Sequence, residues 1–128
     1  YNYPQNKFVA NFIGDANVIK AEILDKQSNS YDLKIAEMKI KVHSDKNFEK
    51  TVSVALRPEK ISINKDKKEN SIHATVNNAS FVGSSYQYIL NSDAGKLFVI
   101  SGETNDIFKV GEEVFLSINE EEVKILND

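Results

Sequence analysis

The feature that most constrains the fold is an alternation of apolar and polar residues with a period of two, which begins near Asn17. Successive side chains of a strand point to opposite faces, so this alternation predicts strands that each bury one face. Polar segments between the apolar runs predict turns. Short strands joined by polar turns are typical of an all-β barrel or sandwich. The predicted strands are Val18–Leu24, Leu33–Ile35, Met38–Val42, Val52–Leu56, Ile61–Ile63, Ile72–Val76, Tyr86–Leu90, Leu97–Ile100, Val114–Ile118 and Val123–Leu126.

The segment before this alternation has a different period. Within Phe8–Ile13 the apolar residues follow an i, i+1, i+4, i+5 spacing, which places them on one face of a helix. Pro4 suits a first helical position, and Gly14 suits the end of the helix. We therefore predict a short connecting helix within residues 1–16 and a β domain over residues 17–128.

Composition limits the class of protein. A length of 128 residues suits one domain, and a hydrophobic content of 41% is too high for a disordered chain. No apolar run approaches the roughly 20 residues of a membrane-spanning helix. The absence of cysteine excludes disulfides, thiolate zinc sites and cysteine nucleophiles. The chain starts at Tyr1 without Met or a signal peptide, which we interpret as a position inside a longer protein.

The charge pattern gives no support to nucleic-acid binding. The formal net charge is −3 and the pI is about 5.4, whereas a surface that grips phosphates normally carries a basic excess. Lysines are interleaved with acidic residues along the chain. The densest group, Lys65–Glu69, is nearly neutral and predicts a solvated hairpin tip.

Aromatic residues in the predicted strands allow two interpretations. Barrels of this size can stack single-stranded nucleic acid on exposed rings. Alternating aromatics also pack in cores and across strands, and we favour this interpretation because no basic groove accompanies them. The residues concerned are Tyr86, Tyr88, Phe98, Phe108 and Phe115.

Motifs for catalysis, nucleotide binding and metal binding are missing from the sequence. The glycines of Gly102–Thr104 and Gly111–Glu113 lack the lysine of a phosphate-binding loop. His43 and His73 have no carboxylate at ligand spacing, so we interpret both as structural or surface residues. Glu120–Glu122 is interpreted as a solvated turn, because one strand cannot surround a hard cation with oxygens. We expect no catalytic residue, no nucleotide or metal site and no cofactor in this segment.

A weak internal repeat links the two halves of the chain. Phe12–Asn17 and Phe81–Tyr86 both place an aromatic residue, a β-branched residue and a glycine before an apolar strand. The glycines, Gly14 and Gly83, allow a positive φ or a close backbone approach. The aromatic residue that opens each copy is predicted to plug one end of a barrel.

The only arginine of the chain, Arg57, precedes Pro58 and Glu59 between two predicted strands. Proline lacks the N–H that a central strand needs, so this triplet marks a bend or an edge. Residues two apart can meet on one side of the bend, and a guanidinium can hold a carboxylate or several carbonyls. One interpretation is a structural clamp, for which Arg57→Lys lowers thermal stability. The other is a contact with a partner domain or ligand.

The order and spacing of these motifs resemble the TOBE, or transport-associated OB, domain. This domain lies at the C-terminus of the ATP-hydrolysing subunit of binding-protein-dependent ABC importers. The resemblance covers almost the whole chain. Phe-Ile-Gly followed by Asn is most similar to polyamine importers, with iron(III) and sugar or glycerol-phosphate importers next. The matching residues are Pro4–Gly14 with Asn17, Val54–Glu59, Phe81–Gly83 with Tyr86 and Tyr88, Gly95, Val99, and Gly111–Val114.

The resemblance implies an OB-type β-barrel that regulates and stabilises a dimer of ATPase subunits. It implies a second copy of the subunit and the membrane permease as partners, a regulatory protein or the solute as a further one, and a peripheral location on the cytoplasmic side of the cell membrane. ATP and Mg would be bound by an upstream ATPase domain. The residues it suggests as structural or interface candidates are Phe12, Gly14, Asn17, Arg57, Pro58, Glu59, Phe81 and Gly83.

An independent OB-type binding module is the alternative function. Such a module would bind a small anion or single-stranded nucleic acid. Its binding would fall steeply as the salt concentration rises.

Overall fold

The computed structural model describes residues 12–13, 16–102 and 107–126. These residues form eleven strands and two 3-10 turns, at Pro58–Lys60 and Glu120–Glu122. The strands are β1 (Phe12–Ile13), β2 (Ala16–Lys26), β3 (Ser30–Ile35), β4 (Met38–His43), β5 (Thr51–Leu56), β6 (Ile61–Asn64), β7 (Ile72–Val82), β8 (Ser85–Ser92), β9 (Gly95–Ser101), β10 (Glu113–Ile118) and β11 (Lys124–Ile125).

The predicted all-β class is confirmed, and each of the ten predicted apolar runs forms a strand. The helix prediction is wrong at Phe12 and Ile13, which pair with Asn17 and Ala16 as a short antiparallel strand. Backbone pairing with β2 overrides the helical spacing of these two residues. Residues 4–11, the rest of the predicted helix, lie outside the described residues, as does Gly14.

The strands form two curled sheets in which every pairing is antiparallel. The first has the order β11-β5-β2-β3-β4, with β1 added beside β2, and the second has the order β6-β10-β7-β8-β9. Their inward faces share one hydrophobic core, to which both sheets contribute fully buried residues. Within the described ranges, no helix has the length and hydrophobicity needed to cross a bilayer.

The two sheets are built from two copies of one strand arrangement. Strands β5-β2-β3-β4 of the first half lie in the same order as β10-β7-β8-β9 of the second half. The last strand of each half is exchanged, because β6 pairs with β10 and β11 pairs with β5. The halves are therefore interlocked and do not form two separate units.

Details of the two halves agree closely. A bulge interrupts the pairing of β2 with β3 and that of β7 with β8. Tyr31 and Tyr88 are both buried, and each packs edge-on against a phenylalanine from a loop, with ring centroids 5.7 Å and 5.8 Å apart. The loop rings belong to Phe48 and Phe108. These pairs extend the core beneath the loops of each half.

The short repeat found in the sequence has the same strand pairing at its described residues. Phe12 pairs with Asn17, and Phe81 pairs with Tyr86, so the two segments share one register. They occupy different places in the larger duplication, since one precedes β2 and the other ends β7. The barrel-plug prediction is wrong for Phe81, whose side chain is 57% exposed.

The charged segment Lys65–Glu69 is exposed, as its composition indicates, but it is not a hairpin tip. It connects β6 to β7, and these strands do not pair with each other. Both pair with β10, which lies between them.

Candidate functional site

Asn17 joins the two sheets at a fully buried position of β2. Its side-chain Nδ2 donates to the carbonyl of Phe98 at 2.8 Å, and its Oδ1 accepts from the Phe98 N–H at 2.8 Å. Nδ2 also donates to the Leu56 carbonyl at 3.3 Å. The Asn17 carboxamide therefore forms two hydrogen bonds to β9, as the backbone of a neighbouring strand would. It does so where a strand of the first sheet meets a strand of the second.

The Arg57-Pro58-Glu59 triplet lies beside Asn17, because Leu56 pairs with Asn17. Pro58 is buried at the start of the 3-10 turn, which the Lys60 N–H closes by donating to the Arg57 carbonyl at 3.0 Å. This turn packs against β9. We call this group, Asn17 with Leu56–Lys60 and Phe98, the first junction.

A second junction occupies the equivalent place in the other half. Asn70 accepts from the Lys39 N–H and donates to the Lys39 carbonyl, at 2.6 Å and 2.7 Å. The turn at Glu120–Glu122 packs against β4, and the Lys41 N–H donates to the Glu120 carboxylate at 3.0 Å. Each half thus uses an asparagine and a 3-10 turn to hold the outer strand of the other half.

Arg57 and Glu59 meet over the bend, as their spacing predicts, with Nη1 and Oε2 3.6 Å apart. Both side chains are well exposed, at 65% and 46%. Exposed ion pairs contribute about 0–1 kcal/mol to stability, because water screens them and ordering the side chains costs entropy. The buried proline, the turn and Asn17 therefore hold the junction, and the guanidinium lies on an open surface.

We expect Arg57→Lys to lower the free energy of unfolding by less than about 0.5 kcal/mol, since only this exposed pair changes. Thermal unfolding of the variant and the unaltered chain, followed by circular dichroism, measures the difference. Pro58→Ala is the matched comparison in the same turn, and we expect it to cost more because Pro58 is buried. A larger loss for Arg57→Lys than for Pro58→Ala would restore the clamp interpretation.

Phe81 and Gly83 lie apart from the junction, at the tip of the hairpin formed by β7 and β8. Gly83 has φ +67° at the first position of a two-residue loop, where a glycine is favoured. Phe81 contacts Tyr86 with ring centroids 4.9 Å apart, and Tyr86 stacks on Tyr88 at 5.9 Å. A row of rings therefore runs from the exposed tip to the buried Tyr88.

The core interpretation of the aromatic residues is confirmed for Tyr88 and Phe108, which are both buried. The Tyr88 hydroxyl accepts a hydrogen bond from the Phe108 N–H at 3.3 Å. Burial raises the pKa of Tyr88 above its ordinary value, and this hydrogen bond partly offsets the rise. Tyr88 thus stays neutral at ordinary pH and acts as a packing and hydrogen-bonding group.

The remaining polar candidates form surface contacts. His73 Nε2 lies 2.8 Å from a carboxylate oxygen of Glu113 on the neighbouring strand, a partner that spacing along the sequence does not reveal. His43 is exposed. Among the residues that the structure describes, no three His, Asp or Glu side chains gather as metal ligands would. Glu120–Glu122 forms a turn whose Asn119 side chain accepts from the Glu121 N–H at 3.0 Å.

Sequence reasoning missed the second junction. The sequence did contain a signal for the second 3-10 turn. Leu116–Ile125 has the same alternation of apolar and polar residues as Val54–Ile63, and both segments have a glutamate at the same place in the turn. The motif Tyr-x-Leu also recurs at Tyr31 and Tyr88. Asn70 has no comparable signal, because its role depends on a φ of +56° and on a strand 31 residues away.

A comparison with protein families decides the identity of the domain. The model of the TOBE domain matches residues 54–126, which is more than half of the chain. The chain belongs to the TOBE domain family. The matched residues include both 3-10 turns and both exchanged strands. The family pattern therefore covers the elements that interlock the two halves of this TOBE domain.

Full-length relatives of this TOBE domain are ATP-binding subunits of ABC importers. It is 28% identical over 133 residues to the Fe(3+) ions import ATP-binding protein FbpC of Fusobacterium nucleatum, covering 100% of the chain and 34% of the relative. It is 30% identical over 131 residues to the spermidine/putrescine import ATP-binding protein PotA of Mesoplasma florum, covering 98% of the chain and 35% of the relative. The chain therefore spans about a third of the length of these curated relatives and matches their C-terminal part.

A solved structure supports the OB-type fold. The TOBE domain superposes on the cytoplasmic molybdate-binding protein ModG with a TM-score of 0.70, covering 88% of this chain and 96% of that chain. The sequences are only 13% identical, so the likeness shows the fold alone. The predicted OB-type barrel is confirmed.

Proposed function

We propose that this TOBE domain regulates and stabilises a dimer of ATP-binding subunits in an ABC importer. The observation that carries the proposal is the match of nearly the whole chain to the C-terminal part of two importer ATP-binding proteins. These relatives have about twice as many further residues, which is enough for an ATPase domain. ATP and Mg would bind in that upstream domain, and the subunit would lie on the cytoplasmic face of the membrane beside its permease.

The interlocked barrel supports this role. Its strands are exchanged between halves and Asn17 of the first junction is buried, so it forms a rigid attachment for a mobile domain. The ATPase domains of an importer separate and close during each cycle, and a rigid accessory domain can hold two of them at a short distance.

The solute we propose is a polyamine, because Phe12-Ile13-Gly14 followed by Asn17 is most similar to polyamine importers. Iron(III) is the second candidate, since a ferric importer subunit matches over the whole chain. Uptake of labelled spermidine and of ferric iron by cells with and without the gene would decide between them.

The complete gene and its product test the dimer role. We expect an upstream open frame with a G-x-x-x-x-G-K-[ST] motif, ATP hydrolysis by the complete protein and a dimer by sedimentation. Removal of residues 17–128 should weaken the dimer while leaving the nucleotide site intact. A gene without that motif would contradict the proposal. Salt-dependent binding of oligonucleotides or oxyanions by the chain alone would instead support the independent binding module.

A further inference from the structure

The hairpin of β7 and β8 has an open backbone edge. Strand β10 pairs with β7 only as far as Thr75, and Val76 makes the last backbone hydrogen bonds on that side, with Glu112 and Gly111. Asn77 is the bulge residue, and from Asn78 to Val82 the strand pairs with β8 alone. Within the described part of the chain no strand covers its other side, where backbone N–H and C=O groups are available to a partner.

Parts of two other strand edges, on β9 and β4, are capped by side chains. Asn17 pairs with β9 at Phe98, and Asn70 and Glu120 pair with β4 at Lys39 and Lys41. Strand β4 also carries lysines, which discourage edge-to-edge pairing. Residues 77–82 contain no charge, and no side chain in the described ranges caps their backbone as those of Asn17, Asn70 and Glu120 do.

The tip of the exposed edge carries two large apolar side chains. Phe81 is 57% exposed and Val82 is 51% exposed. Phe81 is held in place by the row of rings that leads through Tyr86 to the buried Tyr88. A partner that docks on this edge would therefore bury a side chain that is already ordered, and binding would cost little conformational entropy.

We propose that a second copy of this domain pairs antiparallel with the Asn77–Val82 edge, centred on Ser80. This inference rests on the proposed function, for which it assigns the dimer surface. A two-fold axis requires a self-complementary patch, and the absence of charge means that no like charges face each other across the axis. The second copy is therefore preferred to a charged partner segment.

The side chains fit this register. With Ser80 opposite Ser80 of the partner subunit, Phe81 lies opposite Ala79 of the partner subunit on the face that carries Tyr86 and Tyr88. A large ring then meets a small side chain twice, once on each side of the axis. Moving the register by one residue would place Ala79 opposite serine and Phe81 opposite asparagine, which loses both contacts.

A disulfide tests this pairing directly, because the chain has no cysteine. Directly opposite residues in antiparallel strands have Cβ atoms about 4.5–5.5 Å apart, close to the range of about 3.5–4.5 Å that a disulfide needs. We expect Ser80→Cys in the complete protein to form a covalent dimer on mild oxidation. Ser62→Cys is the control, since Ser62 is exposed on β6, another strand that pairs on one side only.

A second variant measures the contribution of the ring. We expect Phe81→Lys to raise the dimer dissociation constant at least tenfold in sedimentation equilibrium, with an unchanged circular dichroism spectrum because the side chain is exposed. Leu24→Lys is the matched control, at an apolar residue of the other sheet that is 44% exposed, and should change the constant less than twofold.

The outcomes separate this inference from the proposed function. A complete protein that hydrolyses ATP and dimerises, but shows no selective Ser80→Cys cross-link and no effect of Phe81→Lys, overturns the edge pairing alone. An upstream domain that covers the edge within one subunit would give that result. A selective cross-link in a protein without an ATPase domain supports the pairing and overturns the importer role.

Discussion

Replacing Asn17 with alanine is expected to lower the free energy of unfolding by about 3 kcal/mol. The substitution leaves the N–H and carbonyl of Phe98 and the carbonyl of Leu56 without their side-chain partner, at a position that is fully buried. A buried backbone group that loses its partner costs about 1–3 kcal/mol, and the three groups share one small site. Urea denaturation with linear extrapolation measures the loss.

Asn91→Ala is the matched control for Asn17→Ala. Asn91 is exposed on β8, so its replacement should change the free energy of unfolding by less than about 0.5 kcal/mol. If Asn17→Ala also costs less than 1 kcal/mol, the carboxamide does not hold the sheets together, and packing of the Pro58 turn against β9 would be the main contact at this junction.

Leu90→Ala is expected to cost about 3–4 kcal/mol. Leu90 is fully buried in β8 between Val76 and Leu97, and a truncated leucine loses its transfer energy and leaves a cavity. Both sheets share one core, so the chain should still unfold in a single transition at a lower urea concentration. Leu24→Ala, at a position that is 44% exposed, should cost less than about 1 kcal/mol. Two separated transitions would contradict the interlocked core.

The strands were predictable because each buries one face. Burial of one face places an apolar residue at every second position of the sequence. Their partners were not predictable in the same way. The apolar run Ile61–Ile63 looks equally suited to pair with the preceding strand β5, yet it pairs with β10, whose residues lie more than fifty positions later. Local alternation fixes which face is buried, whereas the choice of neighbour depends on how the whole sheet closes.

The candidate site residues were likewise predictable only where the local sequence determines their geometry. The Arg-Pro-Glu bend and the pairing of Arg57 with Glu59 follow from proline geometry and side-chain spacing. The exposure of that pair does not, because it depends on what packs around the turn. Asn17 was identified by resemblance alone, and its two hydrogen bonds to Phe98 join residues 81 positions apart. Phe12 and Ile13 show tertiary pairing overriding a helical pattern.

The exchange of β6 and β11 has a consequence for synthesis on the ribosome. When the first half has emerged, β5 still lacks its outer neighbour, and β6 has no sheet to join. The nascent chain must therefore hold an unfinished sheet edge until β10 and then β11 have been made. Emergence of β11, rather than completion of the first half, sets the moment at which this domain closes.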